Sequence, residues 1–235
     1  MKEFIAKNKI IFSCFCVATL IGVVYILTMD QEEWFPYAGD WFDLIFQLSV
    51  GFIINFIFFV TQIYIPQYKQ NREANRCIYI RINDIVSHMR ELLSHLGNKY
   101  METYDENNAT HEYWYELLKK VKTNDRIGVL NVKRAYSPRV DENAHFTVKE
   151  WIISRVEIIE SDIDKVFKYY AIYIDAELMI TLEEILKSAM HQNMARCFLQ
   201  MPNGISFECT NDDSILFPYY NLMKKLETVS KRYKQ

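Results

Sequence analysis

The most constraining feature of this chain is an uncharged stretch in its first third. Residues 41–65 read WFDLIFQLSVGFIINFIFFVTQIYI and contain no Lys, Arg or Glu. Asp43 is the single acid, and the 22 residues from 44 to 65 carry neither a charge nor a proline. The hydrocarbon core of a bilayer is about 30 Å thick, and about 20 helical residues cross it. The stretch therefore predicts a membrane-spanning helix over residues 43–65.

A second uncharged run, residues 10–29, precedes this stretch and follows a basic N-terminus. A basic start before an apolar run is also typical of a secretory signal peptide. The run is long, however, and its end, ILTM, lacks the small-x-small pattern of a cleavage site. We therefore predict an uncleaved first span. Ala18 and Gly22 form a small-xxx-small pair, which predicts the close approach of a neighbouring helix.

The distribution of charge predicts how the two spans are oriented. The connector at residues 30–42 contains acidic and aromatic residues but no Lys or Arg, whereas basic residues flank both outer ends. The positive-inside rule then places both termini in the cytoplasm and the connector outside. Four basic residues follow the second span: Lys69, Arg72, Arg76 and Arg81. Contact with the lipid bilayer at its anionic headgroups explains them, and an RNA- or DNA-containing partner is the alternative.

The remainder of the chain reads as a helix-rich domain. Apolar residues recur at three- and four-residue steps, which predicts helices. The predicted helices cover residues 67–104, 111–122, 147–173 and 176–199, and a last helix begins at Asp212 or Asp213. Thr147 with Glu150 predicts a capping box, and residues 127–132 and 205–209 suit short strands. The predicted fold class is mainly α, with a two-helix transmembrane hairpin at residues 1–66 and a helix-rich cytoplasmic domain at residues 67–235.

The sequence contains no pattern typical of an active site. His88, Glu91 and His95 have the spacing H-x-x-E-x-x-x-H, which matches neither the H-E-x-x-H zinc motif nor the Glu-x-x-His di-iron pair. Phosphate-binding, dinucleotide-binding, nucleophile-elbow and kinase motifs are missing. The five cysteines form no C-x-x-C pair. We therefore predict no catalytic residue, no metal, no cofactor and no enzymatic activity.

The second span is polar on one side. We call this side the polar stripe and define it as Gln47, Gly51, Asn55, Thr61 and Gln62. At about 100° per residue these positions share about a third of the helix circumference. Polar groups in lipid are costly without partners, so the stripe predicts contact with protein or water. It either packs on the first span or mediates self-association of several hairpins, with Asn55 and Gln62 bonding between subunits or lining a pore.

A basic cluster lies near the end of the chain. It consists of Lys224, Lys225, Lys231 and Arg232. Cations at the C-terminal end of a helix are favoured by the helix dipole, which explains the cluster by electrostatic fit. The alternative interpretation is a contact with a nucleic-acid-containing partner.

The layout is similar to that of a known family. The second span ends in Ile65-Pro66-Gln67-Tyr68-Lys69, residues 169–178 read YYAIYIDAEL, and residues 217–222 read FPYYNL. In this layout the chain resembles the two-transmembrane effectors of bacterial anti-phage defence systems, particularly those of retrons. The resemblance implies a toxin-like effector in the bacterial inner membrane. It also implies that a reverse transcriptase with its RNA–DNA hybrid restrains the effector, and that infection releases it to disrupt the membrane without catalytic residues.

Three functions follow as hypotheses. The first is a membrane-permeabilising defence effector that acts in abortive infection. The second is a non-toxic, membrane-tethered adaptor that recruits a cytosolic partner. The third is a subunit of a regulated channel, which would have to assemble as a homo-oligomer because one hairpin encloses no pore.

Overall fold

The computed structural model describes residues 8–28, 36–102, 104–106, 110–131, 144–200 and 215–234. In these ranges the protein is mainly helical, as the sequence predicts. The chain divides into two compact units, Met1–Asn71 (unit 1) and Arg72–Gln235 (unit 2). The predicted strand at residues 205–209, the predicted start of the last helix at Asp212 or Asp213 and residues 30–35 of the connector lie outside the described residues.

Unit 1 contains two helices that are long and apolar enough to cross a membrane. They are α1 (Lys9–Thr28) and α2 (Ala38–Phe58), and a π-helical segment, Phe59–Tyr64, follows α2. In the most apolar 18-residue segment of each helix, 6% of the residues are buried. The core helix of a soluble protein is mostly buried, so these two helices differ from it by exposing their apolar side chains.

The second apolar helix begins earlier than the sequence predicts. It starts at Ala38, so residues 38–42, which were expected in the connector, are helical. Tyr37 precedes it with a positive φ of 68° in the left-handed region, and this residue turns the chain into the helix. Asp40 lies in the first turn, where a negative charge is favourable near the helix N-terminus.

The two apolar helices pack against each other and run antiparallel. Phe15 stacks on Phe56 and Tyr25 stacks on Phe46, each with 4.2 Å between ring centroids. Residue numbers therefore rise along α1 as they fall along α2. The Tyr25 hydroxyl donates to the Asp43 carboxylate. Aromatic pairs of this kind contribute about 1 kcal/mol each beyond the area they bury.

Helical residues continue without a break from Ala38 to Tyr100, and helix α3 covers Ile65–Tyr100. Pro66 near its start lacks an N–H, and in a regular α-helix its ring clashes with the carbonyl four residues earlier. In the π-helical segment the hydrogen bonds reach back five residues, as in the bond from the Ile65 amide to the Val60 carbonyl. This change of register accommodates the proline within the helix.

Unit 2 consists of short helices and one strand pair around α3. These elements are α4 (His111–Lys120), β1 (Arg126–Leu130), β2 (His145–Thr147), α5 (Val148–Tyr170), α6 (Ala176–Leu186), a second π-helical segment (Met190–Ala195), α7 (Arg196–Gln200), α8 (Leu216–Ser230) and a 3₁₀ turn (Lys231–Tyr233). Strands β1 and β2 are antiparallel. The core of the unit includes fully buried Met89, Trp114 and Tyr219.

The predicted capping box at Thr147 is confirmed, and Asp175 caps the next helix. The Glu150 amide donates to the Thr147 hydroxyl oxygen at 3.2 Å, and the Thr147 amide donates to the Glu150 carboxylate at 3.1 Å. Asp175 accepts from the Leu178 amide at 2.8 Å. Both caps depend on residues three positions apart, so the local sequence is sufficient to predict them.

One predicted helix is divided. The sequence predicts a continuous helix over residues 176–199, but α6 ends at Leu186. The Ser188 hydroxyl donates to the Ile185 carbonyl at 2.7 Å, and the Gln192 side chain donates to the Leu186 carbonyl at 2.6 Å. These side chains bind carbonyl oxygens that a continuing α-helix would use, which favours the break.

Candidate functional site on the second apolar helix

The contact between α1 and α2 defines which side of α2 faces inward. On α2 this side carries Phe46, Ser49 and Phe56, because the two rings stack on α1 and Ser49 is 6% exposed. At about 100° per residue, the centre of this contact face lies about 170° from the centre of the arc formed by Gln47, Gly51 and Asn55. The α-helical part of the polar stripe is therefore on the side of α2 opposite to α1.

The exposure of the polar stripe agrees with this geometry. Gln47, Asn55, Thr61 and Gln62 are exposed, and Gly51 is half-buried. A Cβ atom added at Gly51 would have no neighbouring atom within 4 Å. Gln47, Gly51 and Asn55 therefore do not face α1, which favours the interpretation in which the stripe mediates self-association over packing on the first span.

In α2 and the π-helical segment, the hydroxyl side chains of Ser49 and Thr61 form hydrogen bonds, whereas the amide side chains form none with a described residue. The Ser49 and Thr61 hydroxyls donate to carbonyls one turn earlier, those of Ile45 and Ile57, both at 2.8 Å. Within α2 and the π-helical segment, the amide side chains of Gln47, Asn55 and Gln62 make no hydrogen bond to a described residue. Each amide has two N–H donors and a carbonyl acceptor, and those of Gln47 and Asn55 lie on the side of α2 away from α1.

The C-terminal end of the polar stripe has a helix type that the sequence did not predict. Thr61 and Gln62 lie in the π-helical segment Phe59–Tyr64. Its turns are wider than those of an α-helix, so the angle of these two residues relative to Gln47 differs from the value that a regular helix gives. Single π-helical turns occur frequently at functional sites.

The small residues of α1 lie in the contact within the chain. Ala18 is 7% exposed, and a Cβ added at Gly22 would meet Phe46 Cε2 at 4.0 Å. They allow α1 to approach α2 closely, which is the packing that a small-xxx-small pair favours. A shallow groove beside this contact, about 380 Å³ in volume, is lined by apolar residues together with Ser13, Cys14 and Ser49.

The basic residues that follow the second span are solvent-accessible. Lys69, Arg72, Arg76 and Arg81 are all exposed. None of the four forms an ion pair with another described residue. Their charges are therefore free to interact with a ligand or surface outside the described chain.

The C-terminal basic cluster is different, because acids of unit 2 pair with most of it. Lys224 contacts Glu106 at 2.7 Å, and Lys225 contacts Glu184 at 2.5 Å. Arg232 contacts Glu177 at 2.6 Å and Asp175 at 3.5 Å. Three of the four charges of the cluster are thus paired with acids at the surface of unit 2, which favours the interpretation by electrostatic fit; the contact with a nucleic-acid-containing partner stays a prediction. The acids are distant in sequence, which is why the sequence alone did not indicate the pairing.

His88, Glu91 and His95 do not converge on a common point. The Arg155 guanidinium lies between α5 and α3, with Nη1 2.8 Å from the Glu91 carboxylate and 3.0 Å from His88 Nδ1. His95 Nδ1 is instead 2.8 Å from the Glu91 backbone carbonyl. Among the described residues, no group of three or more His, Cys, Asp or Glu side chains could hold a metal ion.

A buried polar triad in unit 2 was missed by the sequence reasoning. His191 is 1% exposed; its Nδ1 lies 3.1 Å from the Glu160 carboxylate and its Nε2 lies 3.2 Å from the Tyr219 hydroxyl. Burial lowers the pKa of His191, although the hydrogen bond to Glu160 opposes this effect. The neutral imidazole therefore links α5, the second π-helical segment and α8. Its partners are 31 and 28 residues away, so no local motif marks the triad.

In comparison with known proteins, no family model, no curated protein and no solved structure matches this chain. Its function is accordingly inferred from the residues and contacts described above.

Proposed function

We propose that this chain is a toxin-like effector of an anti-phage defence system of the retron type, embedded in the bacterial inner membrane. A cytosolic partner holds it inactive, and on release it self-associates and disrupts the membrane. The observation that supports this proposal best is the polar stripe, whose amides face away from α1 on an otherwise apolar helix.

The membrane placement is supported by length and exposure. α1 has 20 residues, and α2 has 21 before the π-helical segment, which suits a hydrocarbon core about 30 Å thick. Their apolar side chains are exposed almost all round. We propose that the two helices form a transmembrane hairpin with the connector outside and both termini in the cytoplasm, as the charges predict.

Self-association is expected because amide groups without hydrogen-bond partners are unfavourable in free energy inside the lipid bilayer. Asn55 lies near the middle of the proposed span, where no water is available to bind it. A second copy offers the same amides at the same depth, and hydrogen bonds between membrane helices contribute about 1–2 kcal/mol each in model peptides. Several copies arranged with their stripes inward would enclose a polar pathway, which one hairpin cannot do.

The proposed restraint acts on unit 2 from the cytoplasm. The resemblance points to a reverse transcriptase with its RNA–DNA hybrid as the partner. The ion pairs of Lys224, Lys225 and Arg232 reduce the charge available for nucleic acid, so we propose that the partner's protein surface makes the contact.

The deciding experiment is expression of the full chain without a partner, with growth and membrane potential measured together. We expect loss of potential and growth arrest. Asn55→Leu should relieve both, because it removes an unbonded amide from the stripe. Two matched controls should remain toxic: Thr61→Val, since that hydroxyl is already bonded to the Ile57 carbonyl, and Ile54→Leu at an exposed apolar position.

Two results would contradict the proposal. The first is normal growth with intact potential at a high level of membrane-inserted chain. The second is full function after both apolar helices are replaced by an unrelated hairpin, which would identify a membrane-tethered adaptor.

A further inference from the structure

Three segments that are distant in sequence meet at one corner of unit 2. The Tyr170 hydroxyl at the end of α5 lies close to the Cys77 thiol of α3 and to Arg81, and burial together with the thiol raises the pKa of Tyr170. The Asp175 amide, which follows the connection between α5 and α6, donates to the Tyr233 hydroxyl at 2.8 Å. The α5–α6 connection is thereby fixed between α3 and the C-terminal 3₁₀ turn. We call this region the docking corner.

Large apolar side chains are exposed at the docking corner. Ile172 is 85% exposed, Tyr169 is 63% exposed and Ile80 of α3 is 49% exposed. Single exposed apolar residues are ordinary on protein surfaces, but several at one place indicate an interaction surface. Ile172 and Tyr169 flank Tyr170, and the Tyr173 amide donates to the Tyr170 carbonyl at 2.9 Å, which orders the backbone of this turn.

Cations surround these apolar side chains. Arg76, Arg81 and Lys168 are exposed and form no ion pair with a described residue, and the Lys168 ammonium lies 5.5 Å from the centroid of the Tyr169 ring. The nearby acids Asp175 and Glu177 are paired with Arg232. Two exposed acids lie nearby: Glu73 on the adjoining turn of α3 and Asp164, which lines a shallow depression together with Lys168 and Tyr169. The docking corner therefore combines protruding apolar groups with a net positive charge.

We propose that the docking corner binds the surface of an anionic lipid bilayer. Ile172 and Tyr169 enter the boundary between headgroups and acyl chains, where aromatic residues are enriched, and the cations contact lipid phosphates. The charge of the corner is complementary to an anionic leaflet. This inference depends on the proposed membrane placement of α1 and α2.

The test uses the full chain with its five cysteines replaced by serine, which keeps a hydrogen-bonding group opposite Tyr170. A single cysteine at position 172, introduced as Ile172→Cys, carries an environment-sensitive fluorophore. The protein is reconstituted in vesicles of equimolar phosphatidylcholine and phosphatidylglycerol, with and without nitroxide-labelled lipid. We expect a blue-shifted emission that nitroxide lipid quenches. Lys168→Gln should lower the equilibrium constant for docking about fivefold, because one cation near an anionic surface contributes about that factor.

Two further positions serve as controls. Leu130→Cys labels an exposed apolar residue of β1, which lies at the other end of α5 because the Val148 amide donates to the Asp125 carbonyl. The 23 residues of α5 span about 34 Å, so this probe should remain unquenched. Leu48→Cys labels the exposed face of α2 and should be quenched if that helix is in the membrane.

The controls separate the two proposals. Quenching at position 48 without quenching at position 172 would overturn the docking corner alone. No quenching at either position would overturn the membrane placement as well. A blue shift at position 172 that nitroxide lipid does not quench would mean that protein covers the corner, and the lipid proposal would be wrong.

Discussion

The side chain of His191 shows how a single buried group makes stability depend on pH. Its Nε2 faces the Tyr219 hydroxyl, which is fully buried, and its Nδ1 faces the Glu160 carboxylate at the rim of the core. Burial favours the neutral imidazole and lowers the pKa of His191 in the folded chain. In the unfolded chain the pKa of a histidine is about 6.5.

Acidification should therefore destabilise unit 2. Above about pH 7.5 both states hold a neutral His191, and its contribution to stability is complete. As the pH falls below that value, the unfolded state binds a proton that the folded state resists, so the free energy of unfolding decreases. We expect the melting temperature of the detergent-solubilised chain to fall between about pH 7.5 and pH 5.

The matched control for this prediction is a pair of substitutions. His191→Gln should lower the melting temperature at neutral pH and flatten its dependence on pH, whereas His111→Gln, at an exposed position, should leave the pH dependence unchanged. An equal slope in the wild type and in His191→Gln would assign the pH dependence to other groups.

Among the helices, α3 and α8 are joined through the short segment that contains Glu106. The Glu106 carboxylate accepts from Arg90 Nε at 2.9 Å and from Lys224 Nζ at 2.7 Å. The Tyr220 hydroxyl donates to the Glu106 carbonyl at 2.6 Å. Burial alone would raise the pKa of Glu106, but the hydrogen bonds from Lys224 and Arg90 outweigh it and lower the pKa.

Loss of this carboxylate should loosen the contact between the two helices. Glu106→Gln removes one charge from between two cations, and we expect a loss of about 1–2 kcal/mol in the free energy of unfolding. This value is below that of a fully buried pair because Arg90 and Lys224 are partly exposed to solvent. Glu116→Gln is the control, since Glu116 pairs with Lys119 on the surface and should change stability by less than about 0.5 kcal/mol.

Denaturation of the full chain at several pH values checks this prediction. The folded pKa of Glu106 is depressed, so its contribution should be present at neutral pH and lost as the pH falls below about 4.5. Equal losses for Glu106→Gln and Glu116→Gln would show that the pairing of Glu106 adds nothing to the contact between α3 and α8.

The sequence could predict those features that depend on residues close together in the chain. The uncharged runs of α1 and α2, the apolar period of α5 and the cap at Thr147 involve neighbouring residues, and the structure has helices at these runs and the cap. The composition of the polar stripe was also readable. Its direction was not, because it depends on which side of α2 the Phe15 and Tyr25 rings contact.

Contacts between distant residues limited the prediction for the C-terminal cluster. Lys224 and Glu106 are 118 residues apart, and Lys225 and Glu184 are 41 apart. A run of cations in the sequence therefore looked open although the fold compensates most of it. The π-helical segments escaped prediction for a related reason, since a pattern analysed at a regular helical period cannot reveal a local change of that period.

For the molecule as a whole, the charge asymmetry around the two apolar helices makes a strict prediction about topology. Basic residues flank the outer ends and none lies in the connector, so α1 and α2 should cross the membrane in opposite directions. Residues before α1 and all of unit 2 should then lie in the cytoplasm, where a restraining partner could reach them.

Single cysteines in a cysteine-free chain test this topology. Three positions suffice: Asn8→Cys before α1, Tyr37→Cys at a side chain that is 73% exposed before α2, and the native, exposed Cys197 in unit 2. We expect a membrane-impermeant maleimide to label position 37 in intact spheroplasts, and positions 8 and 197 only after permeabilisation. Labelling of position 8 together with position 37 would mean that α1 does not cross. Labelling of position 197 in intact cells would place unit 2 outside, and no cytosolic partner could then restrain the effector.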